Sequence, residues 1–209
     1  MNIINLFPIS IYREKLDLPI SEKENLINYI LDYNLKQENR GSNSIENVST
    51  SYHENNQLFN LPQFEVLTNL MMSAAYQYAE DINFNIDRYF LYISSMWFQY
   101  YAENESMPQH NHGTSLMSAS YYLQIPKNSA ALIFWNPVHQ ALREYPRKID
   151  QNSNIRYADS NLYHINPDED EIVLFPGYLD HGTSKHQSIE PRIIISANWK
   201  WAEKRKIGK

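Results

Sequence analysis

Residues 172–199 read IVLFPGYLDHGTSKHQSIEPRIIISANW, and this stretch decides the fold. Its two β-branched runs, IVLF and RIIIS, predict strands. Pro176-Gly177 marks the turn that ends the first run. His181 follows that turn, and Arg192 opens the second run. The stretch therefore predicts two strands joined by a connection that carries a histidine, with an arginine at the start of the second strand.

The same pattern of β-branched runs separated by turns continues through the second half of the chain, from about residue 89 to 200. Its β-branched and aromatic segments, separated by turn residues, predict strands over 90–101, 115–125, 130–135, 162–165, 171–175 and 191–199. The segment 137–160 interrupts them and carries Arg143, Arg147, Lys148 and Arg156. A loop of that length in a compact domain is usually functional or disordered. It is interpreted either as a lid or substrate-recognition segment or as a mobile surface loop.

Residues 1–88 predict a helical support for that β-rich half. Ser21 and Glu24 form a capping box, and apolar residues at helical spacing follow it. Pro62 suits the first turn of a second helix. The predicted elements are helices over 21–36 and 62–81, a strand over 3–12 and a loop over 38–57. The 209 residues thus predict a single, mostly β domain of the α+β class, with helices packed on one side of an antiparallel sandwich or barrel.

The composition excludes several classes of protein. The net charge of −6 and the pI of about 5.6 are unsuited to general binding of nucleic acid or an anionic membrane surface. The chain has no cysteine, which excludes disulfides and thiolate metal sites and favours a cytoplasmic location. The amino-terminal sequence has no signal-peptide pattern, and no apolar run reaches the length of a membrane span. Gly-rich nucleotide-binding motifs are absent.

Two histidine clusters carry the candidate chemistry. In extended backbone the side chains of His110 and His112 point to the same face, so both imidazoles can bind one metal ion. A third ligand from a neighbouring strand completes a facial arrangement, and His181 is the best candidate. Asp180 is a weaker one, because in a strand it points away from the face that carries His181.

Arg192 lies 11 residues after His181, at the start of a predicted strand. A buried arginine is costly unless an anion pairs with it, and a bidentate carboxylate is its natural partner. Two partners remain open: the carboxylate of a ligand, or an internal Asp or Glu. The combination of His-x-His, a later histidine and this arginine is far more specific than any one part.

At these residues the sequence resembles the 2OG-Fe(II) oxygenase family of small bacterial and phage proteins. The resemblance rests on MWFQYYAENESMPQHNHGTSLMSASYYLQIP (96–126), ALIFWNP (131–137) and residues 172–199. It covers about half the chain, and it implies a double-stranded β-helix (a jelly roll of the cupin type) with Fe(II) and 2-oxoglutarate as cofactors. The implied enzyme is a dioxygenase, acting as a hydroxylase, that consumes O2 while decarboxylating 2-oxoglutarate.

The resemblance also implies roles for individual residues. His110 is then the first iron ligand, His181 the distal ligand, and Arg192 the anchor for the far carboxylate of 2-oxoglutarate. The family has Asp or Glu where this chain has His112, so a three-histidine site leaves the metal one charge more positive. Further residues expected to face the cavity or bind the cosubstrate are Gln99, Tyr101, Tyr122, Trp135 and Asn198, although core packing is the alternative for each aromatic residue.

Two other functions fit parts of the pattern. A cupin-like metal protein with three histidines needs no 2-oxoglutarate, but the glutamate expected shortly after His-x-His is missing, since Gly113 and the residues after it include none there. A non-catalytic β-sandwich module that binds through its many Tyr and Trp side chains is the other alternative. The substrate, a small molecule or a side chain, is not encoded in a recognisable motif. The amino-terminal helices offer a possible homodimer face.

Overall fold

Nine strands and two α-helices form the part of the chain that this computed structural model describes, residues 8–38, 48–137 and 161–204. The helices are α1 (Ile20–Glu38) and α2 (Glu65–Asp81), and two short 3-10 turns, Leu58–Asn60 and Pro62–Phe64, precede α2. The strands are β1 (Tyr12–Lys15), β2 (Ser49–Thr50), β3 (Tyr89–Tyr101), β4 (Met117–Gln124), β5 (Leu132–Trp135), β6 (Leu162–Ile165), β7 (Glu171–Pro176), β8 (His181–Thr183) and β9 (Arg192–Glu203). None of the described helices has the length and apolar character needed to cross a membrane.

The strands form a major and a minor antiparallel sheet. The major sheet has the order β1-β7-β4-β9-β3-β2, and the minor sheet has the order β6-β5-β8. Strands that are far apart in sequence are neighbours in both sheets, as a jelly roll requires. The predicted α+β class and double-stranded β-helix are confirmed.

Each face of the major sheet has its own hydrophobic core. On one face the helices pack through buried residues of α1 and α2, including Leu26, Ile30, Leu67 and Met71. On the other face the two sheets pack together, and the buried residues there include Tyr122, Val173 and Phe175 of the major sheet and Leu132, Phe134 and Ile165 from the minor-sheet side. The side chains of the major sheet alternate between these two cores, because successive residues of a strand point to opposite faces.

A register shift in β3 decides which of its side chains reach the space between the sheets. The pairing with β9 shifts between Ile93 and Ser95. Ile93 packs in the core under the helices, and beyond the shift Met96 and Phe98 take over that face. The odd-numbered residues that follow, Trp97 among them, therefore point toward the minor sheet and line a cavity there.

The amino-terminal strand is the main correction to the predicted elements. Residues 3–7 lie outside the described part, Pro8–Ile11 are not in a strand, and β1 begins only at Tyr12. The carbonyl of Ser10 accepts a hydrogen bond at 2.8 Å from the Tyr78 hydroxyl of α2, so it is not used in a β ladder. The predicted loop over 38–57 contains the two-residue β2, and its residues 39–47 lie outside the described part, as do residues 138–160 of the predicted lid or surface loop.

We expect Leu67→Ala to lower the free energy of unfolding by about 2–5 kcal/mol, because Leu67 is 1% exposed between α2 and the sheet. The neighbouring Val66 is 40% exposed on the same helix, so Val66→Ala should change the stability by less than about 0.5 kcal/mol. Urea denaturation of the two variants measures the difference. Equal losses would contradict the packing described here.

Candidate active site

Three histidines converge at one end of the space between the sheets. Their potential ligand nitrogens all lie within 4.8 Å of one another. The ring centroids of His110 and His181 are 4.3 Å apart, and the ring of His112 lies 5.2 Å from each of them. The structure therefore brings together the three imidazoles that the sequence singled out. A set of three histidine nitrogens is a typical ligand set for a transition metal.

Backbone hydrogen bonds hold these histidines side by side. His110 and His181 form an isolated antiparallel bridge, with N to O distances of 2.9 and 2.8 Å. The amide of His112 donates to the carbonyl of Gly177 at 2.8 Å. Glycine is required at two points of this approach: a Cβ on Gly182 would lie 2.7 Å from the carbonyl oxygen of Met107, and one on Gly177 would collide with the carbonyl of Ser115. The glycines in these clusters thus let the two chain segments touch.

Two of the three rings have a tautomer that exposes a lone pair to the centre of the cluster. Nδ1 of His110 lies 2.9 Å from the carbonyl of Pro108, and Nδ1 of His181 lies 2.9 Å from the carbonyl of Leu179. A carbonyl only accepts, so each Nδ1 carries the proton. Each Nε2 is then free to bind a metal, which is the usual orientation of a histidine ligand held by a backbone carbonyl.

His112 is held by a polar network on the floor of the cavity. The side-chain nitrogen of Asn198 lies 3.4 Å from its Nδ1, while the Asn198 oxygen accepts from the hydroxyl of Ser118 at 2.6 Å. The same nitrogen donates to the hydroxyl of Ser95 at 3.1 Å. The indole of Trp97 packs against the imidazole with a centroid distance of 5.7 Å. These contacts come from β3, β4 and β9, so the central strands of the major sheet fix this ring.

Burial keeps two of the imidazoles neutral. It lowers the pKa of His112 to about 4 and that of His181 to about 3, and the nearby His110 lowers both further. At neutral pH these rings are therefore deprotonated. Metal binding requires deprotonated imidazole, so the site needs no proton release from these two rings to accept a divalent cation.

Arg192 is the second unusual feature of the cavity. Its side chain is completely buried, and its Nε, Nη1 and Nη2 have no hydrogen-bond partner among the described residues. The guanidinium carbon lies 4.7 Å from the ring centroid of Tyr101 and 5.4 Å from that of Tyr122. The buried hydroxyl of Tyr122 likewise finds no hydrogen-bond partner in the described ranges, and burial raises its pKa, so it remains a neutral donor. An internal carboxylate, one of the two partners the sequence left open, is not found in the described part of the chain.

One cavity of about 390 Å³, including its open mouth, connects the arginine to the histidines. Alternate residues of β9 line it, from Arg192 at one end through Ser196 to Asn198 at the other. The side-chain oxygen of Gln99 accepts from the hydroxyl of Ser196 at 3.3 Å. Gln99 and Tyr101 line the cavity. Tyr122 does not line it, but its ring lies against the guanidinium of Arg192. The observed contact of Asn198 is with His112.

The structure also locates residues that the sequence misplaced or missed. Trp135 does not line the cavity, because Phe134 takes the inward face of β5 and packs on Phe175. Trp97 does line the cavity. It lies two residues before Gln99 on the same strand, so its side chain points to the same face, and this spacing identifies it once the register shift in β3 is known. Asp180 points away from the three rings, as its predicted strand position required, and accepts hydrogen bonds on the outer surface.

Comparison with protein families places this cavity in a known context. Residues 95–198 match a family model described as "Putative 2OG-Fe(II) oxygenase". The matched range contains the three histidines and Arg192. No protein of curated function matches the sequence.

Several solved structures share the fold at low sequence identity. HygX from Streptomyces hygroscopicus, solved with nickel and 2-oxoglutarate, has a TM-score of 0.59 and 11% identity, with 91% of this chain and 82% of that chain covered. The viral collagen prolyl hydroxylase vCPH of Paramecium Bursaria Chlorella virus-1 has a TM-score of 0.56 and 14% identity, covering 90% and 94%. A prolyl-4-hydroxylase from Pseudomonas putida has a TM-score of 0.58 and 11% identity, covering 92% of both chains. These likenesses support the fold.

We expect Co(II) to stabilise the protein against thermal unfolding, by about 2.7 kcal/mol at 100 times its dissociation constant. His181→Ala should abolish most of that gain, because it removes one nitrogen of the cluster. His164 lies exposed on β6 of the minor sheet, so His164→Ala is the matched control and should keep the full gain. A gain that survives His181→Ala would place the metal elsewhere.

Proposed function

The chain belongs to the 2OG-Fe(II) oxygenase family and is an Fe(II)- and 2-oxoglutarate-dependent oxygenase, an oxidoreductase. From that membership we propose that it hydroxylates a small molecule or a side chain, using the cavity between the two sheets. The metal ligands in this proposal are His110, His112 and His181, and Arg192 anchors 2-oxoglutarate.

The unpaired guanidinium of Arg192 is the observation that carries the proposal. A buried cation without a counter-ion is unfavourable by several kcal/mol, and the described protein residues supply none. A dicarboxylate compensates this charge at one end and leaves its other end for the metal. Tyr122 supports the assignment, since its buried hydroxyl donates to the same carboxylate in this proposal. Gln99 also lines the cavity and is proposed to contact the cosubstrate as well.

The three histidines suit Fe(II) by their donor type and their spacing, and burial keeps His112 and His181 neutral. His112 takes the position at which the family has a carboxylate, so the ligands contribute no negative charge. Asn198 is proposed to act on this side of the cavity, through His112. The cosubstrate role predicted for Asn198 remains a prediction beside that contact.

Bound Fe(II) would supply the oxidising chemistry with O2: one oxygen atom would enter 2-oxoglutarate as it loses CO2 to become succinate, and the other would be inserted into a C–H bond of the substrate. The chain's own contribution is binding and orientation. Arg192 fixes one end of the cosubstrate, the imidazoles face the other, and the cavity wall between them includes Leu132, Phe175 and Ile194. These apolar side chains limit the access of water to the reacting atoms.

The alternative functions have less support. A cupin-like protein that uses no 2-oxoglutarate leaves the charge of Arg192 without a purpose and does not agree with the family. A non-catalytic module leaves the convergence of three imidazoles unexplained. The cytoplasmic location proposed from the absence of cysteine and the homodimer proposed from the helices remain predictions, and cell fractionation and sedimentation measure them.

Arg192→Met separates the anchor role from a structural one. Removal of an unpaired buried charge is expected to raise the stability of the cofactor-free protein by roughly 1 kcal/mol or more. Loss of two charge-assisted hydrogen bonds is expected to weaken 2-oxoglutarate binding about 100-fold. Calorimetry with the Mn(II)-loaded protein measures the binding, and Arg88→Met, at an exposed arginine paired with Glu203, is the control. A destabilised variant that still binds 2-oxoglutarate would contradict the proposal.

Anaerobic addition of Fe(II) and 2-oxoglutarate is expected to give a weak visible charge-transfer band, which Arg192→Met should remove. Admission of O2 with a library of small metabolites and peptides should then yield succinate, with a product 16 Da heavier than one of the compounds. The rate of succinate formation should be higher with that compound than in a mixture that lacks it. No band in the wild-type protein, together with no succinate, would overturn the function.

A further inference from the structure

A second set of contacts lies on the outer side of the histidine cluster. Gln109 and Asn111 flank His110, so their side chains point away from the cavity. Both reach the carboxylate of Asp180, the residue just before His181. Nε2 of Gln109 donates to Oδ2 at 2.8 Å, and Nδ2 of Asn111 donates to Oδ1 at 2.6 Å. We call this set of three side chains, Gln109, Asn111 and Asp180, the outer clamp.

Each half of the outer clamp is fixed by a further bond. The side-chain oxygen of Asn111 accepts from the amide of Gly113 at 3.2 Å, which sets the direction of its amide group. The carbonyl of Asp180 accepts from the amide of Trp135 at 2.9 Å, which ties it to β5 of the minor sheet. The hydrogen bonds from Asn111 and Gln109 also lower the pKa of Asp180, so the carboxylate remains ionised at neutral pH.

We propose that the outer clamp is a positioning device, in which Asp180 sets the separation of the His110 and His181 imidazoles for metal binding. The inference rests on the metal site proposed above and adds residues that do not touch the metal. Its basis is that the carboxylate of Asp180 accepts hydrogen bonds from both residues that flank His110. Asp180 itself directly precedes His181.

The backbone around the ligands shows why such a device is needed. The bridge between His110 and His181 is an isolated residue pair. Besides it, the two segments share the backbone hydrogen bonds from Thr183 to Met107 and from His112 to Gly177, without forming a regular ladder. The side chains of Gln109 and Asn111 are exposed, so hydrophobic packing does not hold this segment on its outer side. Segments with few buried contacts open more readily than strands in a sheet. Groups that orient metal ligands in this way are commonly worth 10–100-fold in metal affinity.

The test compares two substitutions of the same carboxylate. Asp180→Ala removes both hydrogen bonds. Asp180→Asn removes the charge but keeps both hydrogen bonds. The new side-chain oxygen accepts from Asn111 as before. The new amide nitrogen donates to the side-chain oxygen of Gln109, whose exposed amide group is free to rotate by 180°. Titration with Co(II), followed by its visible absorption, gives the affinity and the ligand geometry. Glu203→Ala, at an exposed carboxylate that also accepts a side-chain hydrogen bond, is the control.

We expect Asp180→Ala to weaken Co(II) binding at least 10-fold and to change the absorption spectrum, with Asp180→Asn within 3-fold of wild type. Gln109→Ala should weaken binding in the same direction and add little to Asp180→Ala. Equal losses in both Asp180 variants would overturn the proposal in favour of a charge effect, and no loss in either would overturn it outright. A fall in the unfolding temperature of the metal-free protein with an unchanged spectrum would also overturn it.

The two proposals fail in different ways. If wild-type protein binds no Co(II), or if His181→Ala binds it as well as wild type, the metal site itself is wrong. If wild type binds and His181→Ala does not, while Asp180→Ala behaves as wild type, only the outer clamp is wrong.

Discussion

The uncompensated positive charge of Arg192 is the constraint on which the rest of the site depends. A guanidinium whose three nitrogens find no partner in the described part of the chain is stable in the interior only if the protein is built to receive an anion there. The two tyrosine rings against it supply cation–π attraction but no counter-charge. The fold therefore keeps a charged cavity open between two apolar sheets, and the cofactor-free protein is less stable for it. In the proposed function, binding of a dicarboxylate compensates that charge and stabilises the folded state by linkage.

The histidine end of the cavity differs from the arginine end, because its buried rings are held in the uncharged form. Burial and the nearby His110 shift His112 and His181 strongly toward the neutral form. In the proposed function, a divalent cation bound by these rings brings positive charge to this end. A dicarboxylate that spans the cavity then meets a cation at each end. The chain separates these two charges along the sequence, with Arg192 at the start of β9, His181 at the start of β8, and the other two histidines in the segment that precedes β4.

Much of this was predictable because strand periodicity is local. The alternation of side chains placed His110 and His112 on one face, and a neighbouring strand end offered His181. The segment 162–165 was predicted with its observed bounds, and the apolar stripe after Pro62 predicted α2. The long-range features were not predictable. The pairing of Ser10 with Tyr78, the register shift in β3 and the grip of Asp180 on the segment before β4 depend on contacts between residues that are distant in sequence.

A crystal structure of the protein with Mn(II) and 2-oxoglutarate, grown without O2, tests the central claim most directly. The account predicts one metal ion bound by nitrogens of His110, His112 and His181, with the far carboxylate of 2-oxoglutarate on the guanidinium of Arg192. A metal ion away from these rings, or a guanidinium that pairs instead with an Asp or Glu of the chain, would contradict it.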